Sequence, residues 1–262
     1  MRWLVRFGYD GSGFAGWARQ PGRITVEGEI RRGLRGFGLD LQGLDLEVAS
    51  RTDRGVSARA NALALHAELP GPILLRTLNG VSPELFFTGA REITDEFRVR
   101  AAARRTYRYF EGTSVRDAER RQEAAALFHG EIDVRSLGRG VPSGRPIWRI
   151  VESVVERPVP GGSEIEVQAP SFVWGMVRKI VAALREVDAG RLSIPRLRSA
   201  LEGKVRLTLP MAEPEPLILW EVEYLEPWKY TWNGPNRAQV AGAQERRNEM
   251  WVRERLQESL LP

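Results

Sequence analysis

The chain has 262 residues, 42% of them hydrophobic, enough to fill the core of one large domain or of two of about 130 residues each. It has no cysteine, which excludes disulfides, thiolate nucleophiles, iron–sulfur clusters and cysteine zinc sites, and its two histidines, His66 and His129, leave little for a metal. The net charge of +5 and pI near 9.9 suit a polyanionic partner, and the basic residues are nearly all arginine, whose planar guanidinium forks phosphate and stacks on bases, which points towards RNA.

Residues 1–13 reach charge and glycine too soon for a signal peptide, and no apolar run approaches the roughly 20 residues of a spanning helix, so a cytoplasmic protein is expected. The opening RWLVRFGYD alternates Trp3, Val5 and Phe7 with Leu4 and Arg6 and reads as a strand. TVEGEIRRGLRGFG follows with Val26, Ile30, Leu34 and Phe37 at helical spacing and Glu27 and Glu29 in the first turn. LDLEVASR and NALALHAEL read as two strands joined by a loop around Asp53. A second succession starts with the strand RRTYRYFEG and the helical DAERRQEAAALFHG. Past the turn-rich VPSGRPIWR come the strands RIVESVVER and SEIEVQA, the apolar helix FVWGMVRKIVAALREV, the helix IPRLRSALEG and the closing strand LILWEVEYL. Both halves mix strands and helices in comparable order, which predicts a duplicated α+β unit. The expected divisions are 1–103, 104–227 and a charged tail over 228–262, in which QERRNEMWVRERLQESL reads as a surface helix.

GSGFAG, residues 11–16, satisfies G-x-G-x-x-G after a strand, but a dinucleotide turn must open a helix, and Pro21-Gly22 forbids one directly after it. Two readings remain, a tight glycine loop with a structural role or a loop that exposes Tyr9, Asp10, Trp17, Arg19 and Gln20 to a partner.

YDGSGFAGWARQ, SRTDRGVSA, RRTYRYF and FVWGMVRKIV occur in that order, and with them the chain resembles the TruA family of tRNA pseudouridine synthases. The four segments run from Tyr9 to Val181, and LILWEVEY continues the likeness. The resemblance implies two pseudo-symmetric ferredoxin-like α+β halves sharing one continuous antiparallel sheet, with the catalytic cleft between them. It also implies a homodimer and conversion of uridine to pseudouridine in the tRNA anticodon arm, at positions 38–40 in the family, without cofactor, small molecule or metal. By position, Asp53 matches the catalytic aspartate, Arg51 its motif arginine, Tyr107 the active-site tyrosine, and Arg178 the basic partner of that aspartate. The chain departs from the pattern at Ser50, Arg54, Ser57 and Arg98, and the segment from Tyr107 to Gly130 is short.

The residue types suit that chemistry. Pseudouridine formation breaks the bond from C1′ to N1, turns the base and rejoins it through C5, with no redox step. The aspartate acts on the ribose, by attack at C1′ or removal of a C2′ proton, and both roles need a carboxylate that burial would neutralise unless a cation lies near. In extended chain Arg51 and Asp53 share one face and Arg54 takes the other, so Arg54 is expected on phosphate. In RRTYRYF, Arg105, Tyr107 and Tyr109 point one way, putting a ring and a guanidinium where an extruded uracil could stack. Arg178 sits in the apolar stripe of Val177 and Ile180, where a carboxylate partner is expected, the alternative being a stem that lies on Trp174 and snorkels to solvent. Arg98, Arg100, Arg104, Arg105, Arg108 and Arg145 are candidate phosphate contacts, and Trp17 and Arg19 of the glycine loop are candidate tRNA contacts. A tRNA-binding protein or RNA chaperone of the same fold without catalysis is the alternative function. A carboxylate glycosidase would need a second acid, for which the motif segments offer Asp10.

Overall fold

The computed structural model describes residues 1–37, 46–112, 115–142, 144–226 and 231–232. The strands are β1 (Arg2–Tyr9), β2 (Glu47–Val48), β3 (Ser57–His66), β4 (Leu85–Ile93), β5 (Arg104–Glu111), β6 (Gly130–Asp133), β7 (Trp148–Val151), β8 (Ser153–Val159), β9 (Gly162–Ala169), β10 (Leu217–Glu223) and β11 (Thr231–Trp232). The helices are α1 (Val26–Gly36), α2 (Gly71–Asn79), α3 (Ala118–Ala126), α4 (Met176–Asp188) and α5 (Ile194–Leu201). The fold is therefore mixed α+β, as expected.

Nine strands form one sheet in the order β11-β4-β1-β3-β10-β5-β9-β8, with β2 also paired to β3, while β6 and β7 form a separate hairpin. The expected sheet antiparallel throughout needs one correction. β10 runs parallel to β3, through Ile218 opposite Ser57 and Leu219 opposite Ala58, whereas every other described pairing is antiparallel. β10 returns late in the chain to insert between β3 and β5, and so joins the two halves of the sheet.

Alternation on β1 and β3 and the helical stripes Val26, Ile30, Leu34 and Ile180, Leu184, Val187 build one continuous apolar core. Thr25 caps α1, its hydroxyl accepting from the Gly28 N–H, so Pro21-Gly22 does end the glycine loop before a helix begins. Helix α4 begins at Met176, four residues later than FVWG suggested, because Gly175 takes a left-handed φ of 76° and breaks the helical run. RIVESVVER is two strands, β7 and β8, parted at Glu152. The charged helix expected at 244–260 and the first two residues of LDLEVASR, Leu44 and Asp45, lie outside the described residues.

Candidate active site

The loop from Ala49 to Val56 enters from β2 and leaves into β3, next to the β3–β10 junction. Its backbone is fastened at nearly every step. Buried Asn61 of β3 donates to the Ser50 carbonyl at 2.8 Å and accepts from the Ser50 N–H at 3.3 Å. Thr52 turns inward, its hydroxyl 2.7 Å from the Tyr9 hydroxyl, while its carbonyl accepts from the Trp17 N–H at 3.1 Å. Burial pushes the Tyr9 hydroxyl up, so this pair is neutral. A turn closes from the Val56 N–H to the Asp53 carbonyl, with Gly55 at a φ of 80°. Gly16, φ 104°, packs against this turn so closely that a Cβ would lie 3.1–3.3 Å from the backbone of Thr52, Asp53 and Arg54. The G-x-G-x-x-G loop is therefore a brace for the Asp53 loop. Its aromatic residues correct the expected exposure: Tyr9 and Trp17 are each only 2% exposed and pack on Phe7. Asp10, Arg19 and Gln20 are exposed, and Arg19 faces Glu27 at 3.7 Å.

With Thr52 facing in, Asp53 faces a cleft of about 1090 Å³ lined from both halves of the sheet. One carboxylate oxygen accepts from Arg178 Nη1 at 3.3 Å, and the other from the indole N–H of Trp174 at 2.6 Å. Arg178 is held in turn by its Nε, which donates to the Ala212 carbonyl at 2.6 Å. It is a paired, half-sunken arginine and not one that snorkels past Trp174. The predicted pairing of Asp53 with Arg178 is thus present in the geometry, while Trp174 was placed by sequence in a helix and passed over.

Tyr107 on β5 lines the same cleft, 8% exposed, its ring edge-on to Phe172 with centroids 5.1 Å apart. Burial raises its hydroxyl, offset in part by a hydrogen bond with Ser50 and by the Arg105 charge. Arg105 shares that face but cannot meet phosphate. It is 6% exposed, its Nε donates to Ser50 Oγ, and its terminal nitrogens donate to the carbonyls of Ala49, Arg100 and Pro170. Its expected role as an RNA contact is therefore corrected to that of a buried clamp between β5 and the Asp53 loop, and burial lowers its pKa.

Arg51, Arg54 and Arg100 are exposed on the cleft wall, and among the described residues no carboxylate lies within ion-pair distance of any of them. Arg98 and Arg145 are exposed outside the cleft lining, whereas Arg104 and Arg108, also expected on phosphate, are instead paired with Glu152 and with Glu166 and Glu164 respectively. His66 faces Asp95 at 3.2 Å, and His129 sits 2.7 Å from the Glu152 carbonyl, both away from Asp53. One carboxylate held by two donors, beside a sunken tyrosine and exposed arginines, can act as a nucleophile or base on an anionic substrate.

The chain was compared with known proteins. Residues 124–225 match the family model described as tRNA pseudouridine synthase. Curated relatives named tRNA pseudouridine synthase A include that of Thermococcus onnurineus, 37% identical over 86% of this chain and 85% of its own. That of Thermococcus kodakarensis is 39% identical and that of Pyrococcus furiosus 34%, each over 86% of this chain and 85% and 84% of theirs. A chain in a crystal structure of a Cbf5-Nop10-Gar1 complex aligns at a TM-score of 0.36 and 15% identity, over 80% of this chain and 48% of its own, too loosely to add to this. At such identity over most of both lengths, the chain belongs to the tRNA pseudouridine synthase A family.

Proposed function

We propose that the protein isomerises uridine to pseudouridine in tRNA, with Asp53 as the essential carboxylate. The observation that carries this is the position of Asp53 at the mouth of the cleft, paired at 3.3 Å with Arg178 and set beside Tyr107. Asp53 acts on the ribose, by attack at C1′ or by taking the C2′ proton, as the C1′–N1 bond breaks. The freed uracil turns and forms its new bond from C5 to C1′, displacing Asp53 from C1′ on the first route and followed by return of the proton from Asp53 to C2′ on the second. The C5 proton then leaves, and N1 ends protonated. Tyr107, a neutral phenol at ordinary pH because burial raises it, packs on the uracil and can pass the C5 proton on only by giving up its own. An enzyme that reaches this bond must extrude the nucleotide at a cost of a few kcal/mol, which stacking offsets in part.

Arg51, Arg54 and Arg100 take phosphates on the cleft wall, and Arg98, Arg145 and Arg19 extend that contact beyond it. The target is the anticodon arm, the protein works in the cytoplasm, and the active form is a homodimer, each by family likeness. The strand order supports two related halves, residues 1–103 and 104–227. β4-β1-β3-β2 and β10-β5-β9-β8 both read fourth, first, third and second strand of a βαββαβ unit, once the β6–β7 hairpin and α5 are set aside as insertions. Of the span 228–262, set apart as a tail, Thr231–Trp232 pair with β4 as β11.

Asp53→Asn is expected to bind an anticodon-arm transcript normally and to form no pseudouridine, read by carbodiimide mapping. Full activity in that variant would refute the assignment, and the inactive RNA-binding alternative predicts that the wild type also leaves the transcript unmodified.

A further inference from the structure

The indole of Trp174 is 54% exposed although it lines the cleft. Exposure alone marks nothing, since Trp148 and Ile24 are exposed too, but the setting of this ring is specific. Its N–H is fixed on Asp53 at 2.6 Å, and its carbonyl accepts from the Arg139 N–H at 2.8 Å. The Arg139 guanidinium lies over the ring with Cζ 4.6 Å from the centroid. Gly175, directly after it, holds the left-handed turn that lifts the ring off α4. Arg139 is exposed and has no carboxylate within ion-pair distance among the described residues. The ring is therefore held at one edge by the reactive carboxylate and covered on one face by a free cation.

We propose that Trp174 and Arg139 form a second nucleotide subsite, which takes the base and phosphate of the residue flanking the target uridine. The inference rests on tRNA as the substrate and deepens that reading. The extruded uracil goes inward, to the sunken pair of Tyr107 and Phe172. Extrusion leaves the adjacent base without its stacking neighbour, and the exposed indole supplies one. Arg139 both stiffens the ring and offers its outer donors to the phosphate between the two nucleotides. Because the same indole N–H touches Asp53, a base seated on Trp174 also fixes the carboxylate relative to the target ribose. Ring and N–H thus have separable roles, the ring in binding and the N–H in positioning Asp53.

The experiment begins by mapping the uridine that the wild type converts in a tRNA transcript. An unmodified transcript at this step refutes the proposed reaction itself, independently of the subsite. Transcripts are then made with an abasic nucleotide on the 5′ or the 3′ side of that uridine, and binding is measured by filter retention for wild type, Trp174→Ala and Trp174→Phe. Trp174→Ala is expected to weaken binding of the intact transcript about 5- to 150-fold, the range for loss of one base–aromatic stack. On one of the two abasic transcripts its further effect should vanish. Trp174→Phe keeps a ring and should bind within about threefold of wild type while its single-turnover rate falls. Arg139→Gln should reduce the slope of log affinity on log salt by about 0.7–0.9, the value for one phosphate. Additive losses from Trp174→Ala and both abasic transcripts, or unchanged binding by Trp174→Ala, would overturn the proposal. The folded state of each variant is checked by thermal unfolding, and Trp174→Leu, which keeps apolar bulk without an aromatic face, carries the binding test with the same expected and overturning results if Trp174→Ala is unstable.

Discussion

Replacing Arg178 by methionine removes the cation from Asp53 while leaving a stem of similar length in the apolar stripe of α4. At 3.3 Å and an effective dielectric near 20, the bare attraction is about 5 kcal/mol. Desolvation takes back much of it, and the two side chains are only 15% and 23% exposed, so about 1.5–3 kcal/mol should remain as the cost of breaking the pair. If that energy serves to hold the carboxylate for reaction, the rate of the bound complex falls about 10- to 150-fold. Because among the described residues the Arg178 side chain is hydrogen-bonded to Asp53 and the Ala212 carbonyl, tRNA affinity should change less than about threefold. Arg178→Lys keeps a charge but cannot serve both acceptors with one ammonium, and should fall between the two. The assay is single-turnover release of tritium from tRNA labelled at uracil C5, with binding measured in parallel. A rate within twofold of wild type, or a loss found wholly in binding, would refute the reasoning.

Further outcomes follow from the packing around the site. Gly16→Ala forces a Cβ against the Asp53 turn at a φ of 104°. It should cost about 1–3 kcal/mol, lower Tm by about 2–4 °C per kcal/mol in a calorimetric scan, and reduce turnover. Arg51→Gln with Arg54→Gln should reduce the salt slope of tRNA binding by about 1.4–1.8 if each meets one phosphate, and an unchanged slope rules that out. The Glu213 carboxyl is pushed down to about 2, chiefly by its hydrogen bond from Arg185 at 2.7 Å. A group depressed on folding contributes stability above its ordinary value of 4.5 and loses it as pH falls towards 2. In urea melts, the stability of the wild type relative to Glu213→Gln should therefore be positive at pH 6 and shrink below about pH 4.5. A difference independent of pH would count against the pairing.

Asp53 and Arg178 were legible because each sits in a motif whose residues are contiguous in the chain, although they come together from opposite halves of the sheet. Alternation along β5 also gave the shared face of Arg105, Tyr107 and Tyr109, but alternation reports a face and says nothing of depth. Arg105 lies beneath the cleft, where backbone carbonyls take its donors, and no local pattern distinguishes that from a surface cation. Trp174 was lost for a different reason. FVWG continues the apolar spacing of α4, and the glycine that precedes the helix was read as part of it, although glycine is the residue that tolerates a left-handed turn. Trp17 shows the reverse error, since an aromatic in a glycine loop looks available for contact but fills the space behind Thr52. The parallel contact of β10 with β3 joins residues more than 150 positions apart, and nothing in either strand records it.

That late strand has a consequence for biogenesis. A ribosome that has released the chain only as far as β4 has already delivered Asp53, yet Trp174, Arg178 and the Ala212 carbonyl that steadies Arg178 are still to come. The seam then closes only when residues 217–223 slide between β3 and β5. The Asp53 carboxylate is thereby paired only after most of the polypeptide has been made, so truncated products carry the acid without its counter-charge.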